Sequence, residues 1–273
     1  MGHNPEKLEP LECSRAPVNQ DLCTAFDTMT PGPAYITTSW DDGHPLDLRL
    51  AELLCKYALP ATFYIPLHNE RTVLSAPHVR EISKMFEIGA HTVHHCDLRT
   101  VPNDLARQEI ADCKTALEQI IARPCTAFCF PKGRFRRRHL TQVRDAGYRL
   151  ARTVELMSLA MPRLQGGIAI MPTSLQAVPA AFSTFARNSL KRLHPANLFR
   201  YVRYQKSNWA ATAEAILKRV LDRGGVFHLW GHSWEIEEMG QWKNVERVFA
   251  LMAQCKGRAI FVDNTKLADA ARL

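Results

Sequence analysis

The 273-residue chain has no run of eighteen apolar residues, and its opening, MGHNPEKLEPLEC, has neither a basic start nor an apolar stretch. Neither a transmembrane helix nor a secretory signal is expected, and a cytoplasmic location is the resulting expectation. Its cysteines, Cys13, Cys23, Cys55, Cys96, Cys113, Cys125, Cys129 and Cys255, include no CxxC pair and no dense framework. That excludes the small disulfide-stapled class and predicts free thiols. Repeats and low-complexity tracts are also missing. The net charge is +8, concentrated in KGRFRRRH, Lys132 to His139. These cations are not interleaved with aromatics on a recognisable DNA or RNA module, so nucleic acid is not an expected partner. The cluster reads as a solvated loop and helix start, with phosphate or peripheral contact with an anionic membrane as its functional alternative.

What is present is a rhythm. Residues 1–33 are Pro-rich and aperiodic and predict an extended N-terminal arm. From Ala34, short apolar runs alternate with helical patterns: AYITTSW, PLDLRLAELLCKYAL, ATFYIP, APHVREISKMFE, EIGAH and onward to AIFVDN. Helices of ten to twenty residues between strands of five to eight imply parallel βαβ units. About seven of them predict an α/β fold in the form of a distorted (β/α) barrel over residues 34–273, whose strand ends converge on one mouth. GGIAIMPTSLQA is expected as a further strand. The basic, aromatic stretch FARNSLKRLHPANLFRYVRYQ breaks the pattern and predicts a helical insertion at about 178–207.

Three strand ends carry unusual polar residues: Asp41 and Asp42, then His91, His94 and His95, then His232. Each has a commonplace reading, DDG as a tight turn and the histidines as packing residues. Together they suggest more. Two imidazoles four apart on a helical turn project from one face, and with one carboxylate they make three protein ligands with an open position, the pattern of a catalytic metal. The second carboxylate is then free to handle a proton. His228 shares the strand face of His232 but lies about 13 Å deeper, where a core histidine is expected.

These residues resemble the motifs of the polysaccharide deacetylase family, carbohydrate esterase family 4 with the NodB-like homology domain. Its T-F-D-D-G pattern is matched by Ser39, Trp40, Asp41, Asp42 and Gly43, its H-[ST]-x-x-H pattern by His91 to His95, and its apolar strand ending in histidine by FHLWGHSWE. The resemblance implies a NodB-like barrel, with Asp42, His91 and His95 holding a divalent ion (zinc, or else cobalt or nickel), Asp41 as base and His232 as acid. It also implies an oxyanion donor in the backbone N–H of Lys132, after Pro131. The family's third motif carries an arginine where this chain has Cys129 or Phe128, so Arg152 is expected to orient the base, and Glu235 to tune His232. Trp234, Pro131 and His44 are the substrate-contact candidates.

The implied reaction is hydrolysis of an N-acetyl group from a free, lipid-linked or nucleotide-linked amino sugar, or from an N-acetylglucosamine-containing glycan. Two alternatives stay open. One is another amide hydrolase on the same fold, deformylating a sugar or opening a cyclic amide; the other is a weakly catalytic binder of glycans or anionic lipid head groups.

Overall fold

The computed structural model describes residues 32–192 and 194–271, so the predicted arm lies almost wholly outside the described residues. Among the described residues, ten strands form one sheet. In chain order these are β1 (Ala34–Asp41), β2 (Thr62–Ile65), β3 (Glu87–Ala90), β4 (Ala127–Cys129), β5 (Leu150–Arg152), β6 (Arg163–Gln165), β7 (Ile168–Met171), β8 (Leu175–Gln176), β9 (Gly225–Gly231) and β10 (Ile260–Phe261). They run β6-β7-β5-β4-β3-β2-β1-β9-β8, with β10 also on β1, and only the β6–β7 pair is antiparallel. The sheet curls into a mostly parallel half-barrel with helices outside it. Beyond the seven expected strands and the further one at GGIAIM, the added strands are the hairpin partner β6 and the two-residue β8, too short to carry a pattern.

The stretch expected as one strand, GGIAIMPTSLQA, is instead split. Gly166 and Gly167, both with positive φ, form the two-residue turn between β6 and β7, a conformation glycine adopts without strain. Met171 ends β7, which pairs with β5, and after Pro172 the chain enters β8, which pairs with β9. Residues 172–174 thus carry the chain from one end of the strand order to the other. There the Ser174 N–H donates to the His228 carbonyl, which draws the two edges together.

Period two sorts the side chains of β1. Ile36 and Trp40 are buried against the helices, with Trp40 edge-on to Phe249 of the helix Trp242–Ala253. The alternate residues meet polar partners inside the curl: Thr37 donates to Asn264, Ser39 bonds His228, and Asp41 pairs with Arg152. The helix Asn264–Ala270 packs Leu267 and Ala268 against Tyr64, Leu150 and Val226, filling the base of the barrel. The site therefore sits at the opposite, carboxyl end of the strands. The stretch expected as an insertion holds two helices, Phe182–Arg192 and Pro195–Tyr204.

Candidate active site

Chain direction changes sharply at the end of β1. Asp42 has φ 76° and Gly43 φ 58°, and a Cβ on Gly43 would sit 2.9 Å from Ile65 Cγ2. This left-handed turn aims Asp42 across the mouth rather than outward. Following β3, the HTVHH segment forms no helical turn, contrary to the expectation, because Thr92 and His95 both have left-handed φ, 67° and 50°. Glu109, buried on the helix Asn103–Ile121, clasps the turn by accepting from the backbone N–H of His94 at 2.8 Å and bonding its Nδ1 at 2.6 Å. His94 consequently faces away, while His91 and His95 converge with ring centroids 4.8 Å apart.

Asp42 Oδ1 lies 3.2 Å from His95 Nε2 and 3.7 Å from His91 Nε2. It is buried with no hydrogen-bond partner, whereas Oδ2 accepts from the Trp234 indole at 2.9 Å. The Cys129 carbonyl can only accept, so His91 Nδ1, 2.8 Å away, carries the proton and Nε2 presents its lone pair to Asp42. Burial pushes the His91 pKa down to about 4 and lowers that of His95, keeping both imidazoles neutral at pH 7. An orphaned carboxylate oxygen facing two neutral imidazoles, their donor atoms all within 4.8 Å of one another, fits a divalent cation with a position left open.

Asp41 faces the interior. Burial alone would raise its pKa, but the Arg152 guanidinium, with His91 and His232, outweighs burial and holds the carboxyl below its ordinary value. Arg152 is completely buried and ion-pairs with Asp41 through Nη2. In the β4–β5 register Cys129 stands opposite Arg152, and Cys129 Sγ is 3.9 Å from Asp41. A guanidinium on the neighbouring strand occupies the surroundings of the aspartate.

His232, directly after β9, has Nε2 3.9 Å from Asp42 Oδ2 and Nδ1 2.9 Å from Glu235 Oε2. Gln176 of β8 donates to the same Glu235 oxygen at 2.7 Å. Burial would lower the imidazole pKa, yet the Glu235 hydrogen bond and the charges of Asp41 and Asp42 raise it above its ordinary value. Lys132, in a tight turn after Pro131, has φ 57°. Asp42, Thr92, His95 and Lys132 are four of the seven non-glycine residues with positive φ among the described residues, so this backbone conformation is concentrated around the mouth.

A cavity of about 380 Å³ joins these groups, with Asp41, Asp42, His91, His95, His232 and Trp234 on its wall. Lys132 also lines it, but Pro131 and His44 do not: Pro131 is buried under the turn, and His44 Nδ1 accepts from the Leu46 N–H. Arg152 lies one layer deeper, behind Asp41. Three contributors escaped the sequence reading. Glu109 and Gln176 sit on a helix and a two-residue strand with no motif around them. Asp47, at the first turn of the helix Asp47–Lys56, is fully buried, and burial holds its pKa well above the carboxylate range despite a hydrogen bond with Ser233. Its only sequence signal is an acid in a helix's first turn, which ordinarily means dipole complementarity.

A profile of the polysaccharide deacetylase family matches residues 28–151, a little under half of the chain. The matched segment is similar to that family's sequences and contains Asp41, Asp42 and the HTVHH turn. Solved structures share the fold at low identity. A Mycobacterium smegmatis protein described as a polysaccharide deacetylase aligns with TM-score 0.65 at 15% identity, covering 89% of this chain and 94% of that one. The chitin deacetylase of Colletotrichum lindemuthianum aligns at 0.56 and 14%, covering 86% and 87%. A family 4 acetyl xylan esterase from Clostridium thermocellum, solved with a cobalt ion, aligns at 0.55 and 16%, covering 88% and 92%. No curated protein sequence matches.

Proposed function

We propose that this protein is a metal-dependent N-deacetylase of an acetylated amino sugar, whether free, within an N-acetylglucosamine-containing oligosaccharide, or linked to a lipid or nucleotide. The observation that carries the reading is the separation of the two consecutive carboxylates: Asp42 meets His91 and His95, while Asp41 meets Arg152. Asp42, His91 and His95 would hold the divalent ion, zinc by default, which when bound supplies Lewis acidity toward the amide carbonyl and lowers the pKa of water.

The chain's own groups do the rest. Asp41, kept ionised by Arg152, takes the proton of the attacking water, and Arg152 positions it without touching substrate. The backbone N–H of Lys132 donates to the oxyanion. His232, its Nδ1 proton held by Glu235, is charged more readily than a free imidazole and gives its Nε2 proton to the departing amine. Trp234 orients Asp42 through its indole N–H while its ring borders the cavity.

The test is elemental analysis of the purified protein combined with acetate release from N-acetylglucosamine and its short oligomers, before and after chelation. A stoichiometric divalent ion and chelator-sensitive release support the reading. An ion without acetate release from any amino sugar moves the activity to another acyl group, and absence of an ion under metal-replete conditions rules the proposal out.

A further inference from the structure

A second hollow, a cleft of about 650 Å³, opens beside the cavity and shares Lys132, Gly133, Val154, Thr184 and Asn188 with it. Five cations line it, Arg99, Lys132, Arg134, Arg187 and Lys191, and no carboxylate does. Arg99 is engaged by Asp97 at 2.7 Å and Arg134 reaches the same acid at 3.4 Å, but Lys132, Arg187 and Lys191 have no acidic partner among the described residues. Arg187 and Lys191 are four apart on the helix Phe182–Arg192, where like charges share a face and oppose helix formation. The helix is nonetheless anchored to the cavity wall, because Asn188 donates to the Val154 carbonyl at 2.6 Å and accepts from the Leu156 N–H at 3.0 Å.

A neutral glycan would call for exposed aromatic faces and hydroxyl partners. The one aromatic on this wall, Phe135, already has a face stacked on Phe130 at 4.3 Å. Lysines and arginines arranged without acids suit the oxygens of phosphate, which Arg engages in pairs and Lys as a point charge. We propose that the cleft binds the phosphate or diphosphate of a glycosyl phosphate, so that the acylated sugar beside it enters the cavity holding Asp41 and His232. The inference rests on the deacetylase reading for the fate of the sugar and on the cleft alone for anion binding. The phosphate chemistry is common to nucleotide-linked and lipid-linked sugars, and Leu190, 76% exposed beside Lys191, is a feature the lipid-linked form would use.

Calorimetry with N-acetylglucosamine 1-phosphate tests the cleft directly. Binding should weaken about tenfold or more in the Arg187→Gln/Lys191→Gln double variant and stay unchanged in Arg247→Gln, on another helix; equal affinity in the double variant and wild type would overturn the proposal. Turnover provides the second arm. kcat/KM should favour N-acetylglucosamine 1-phosphate over N-acetylglucosamine at least tenfold, and the double variant should erase that preference. Turnover of the neutral sugar without any preference sinks the inference and leaves the deacetylase reading standing. Anion binding lost in the double variant, with no deacylation of any sugar, sinks that reading and keeps the cleft. UDP-N-acetylglucosamine compared with polyprenyl diphosphate-linked N-acetylglucosamine in micelles then identifies the source, and preference for either supports the proposal.

Discussion

At the scale of single residues, Asp41 and Asp42 are neighbours in the chain that answer to different partners, so their substitutions should separate. Asp41→Asn is expected to retain the bound ion and lower kcat by about 10²–10⁴-fold, the range typical of a lost general base. His95→Ala, by contrast, should lose ion and turnover together. Elemental analysis beside acetate release reads both, and near wild-type turnover by Asp41→Asn would refute the division of labour. Much of this constellation was legible because each part is a short local string: DDG, HTVHH and a histidine at a strand end. Arg152 was reachable as a candidate because it ends the next strand. Its register against Cys129 was not, since pairing between strands leaves no trace in either one's composition. Glu109 and Asp47 were hidden for a related reason. Acids on amphipathic helices ordinarily face water, and only the packed structure reveals the two that point inward.

At the scale of elements, β3, the strand that leads into His91, depends on a gap in its side-chain pattern. Gly89 faces the buried Tyr64 ring, and a Cβ there would lie 2.5 Å from Tyr64 Cδ1 and Cε1 and 3.1 Å from the Ala127 carbonyl. Tyr64 cannot swing aside, because its hydroxyl accepts from Asn264 at 2.9 Å and the residue is wholly buried. Gly89→Ala is therefore expected to destabilise the protein by about 1–3 kcal/mol through overpacking, measured by urea unfolding. A neutral result would show that β2 and β3 can spread apart. The sequence periodicity located these long alternating elements well. It was less informative at the split strand and at the HTVHH turn. There, Pro172, a two-glycine turn and left-handed non-glycine residues set the path, and such conformations are held by tertiary contacts rather than local preference.

At the scale of the whole molecule, the barrel interior is a stack of polar pairs, Thr37 with Asn264, Ser39 with His228, and Asp41 with Arg152. His228 donates from Nδ1 to the Pro172 carbonyl at 2.9 Å and accepts from the Ser39 hydroxyl at Nε2, 2.8 Å away. This neutral form is enforced by burial, which lowers its pKa to about 3. The unfolded chain takes up that proton near pH 6.5 and the folded chain does not, so stability from this residue is complete above 6.5 and declines as the pH falls toward 3. Wild type should lose about 2 kcal/mol to this histidine alone between pH 7.5 and pH 5. Urea midpoints at the two pH values, compared with those of His228→Gln, isolate the contribution. An identical pH slope in the variant would show that His228 is not its source.

The partners in this stack are far apart in the chain, Ser39 and His228 by 189 residues. β1 is the first described strand and lies between β2 and β9. On the ribosome, one side of β1 must therefore wait for β9 to be made, roughly 10–40 s at ordinary translation speeds. During that interval the strand that leads into the two aspartates presents an unpaired edge, and its protection by chaperones or by transient partners becomes part of how the protein is made.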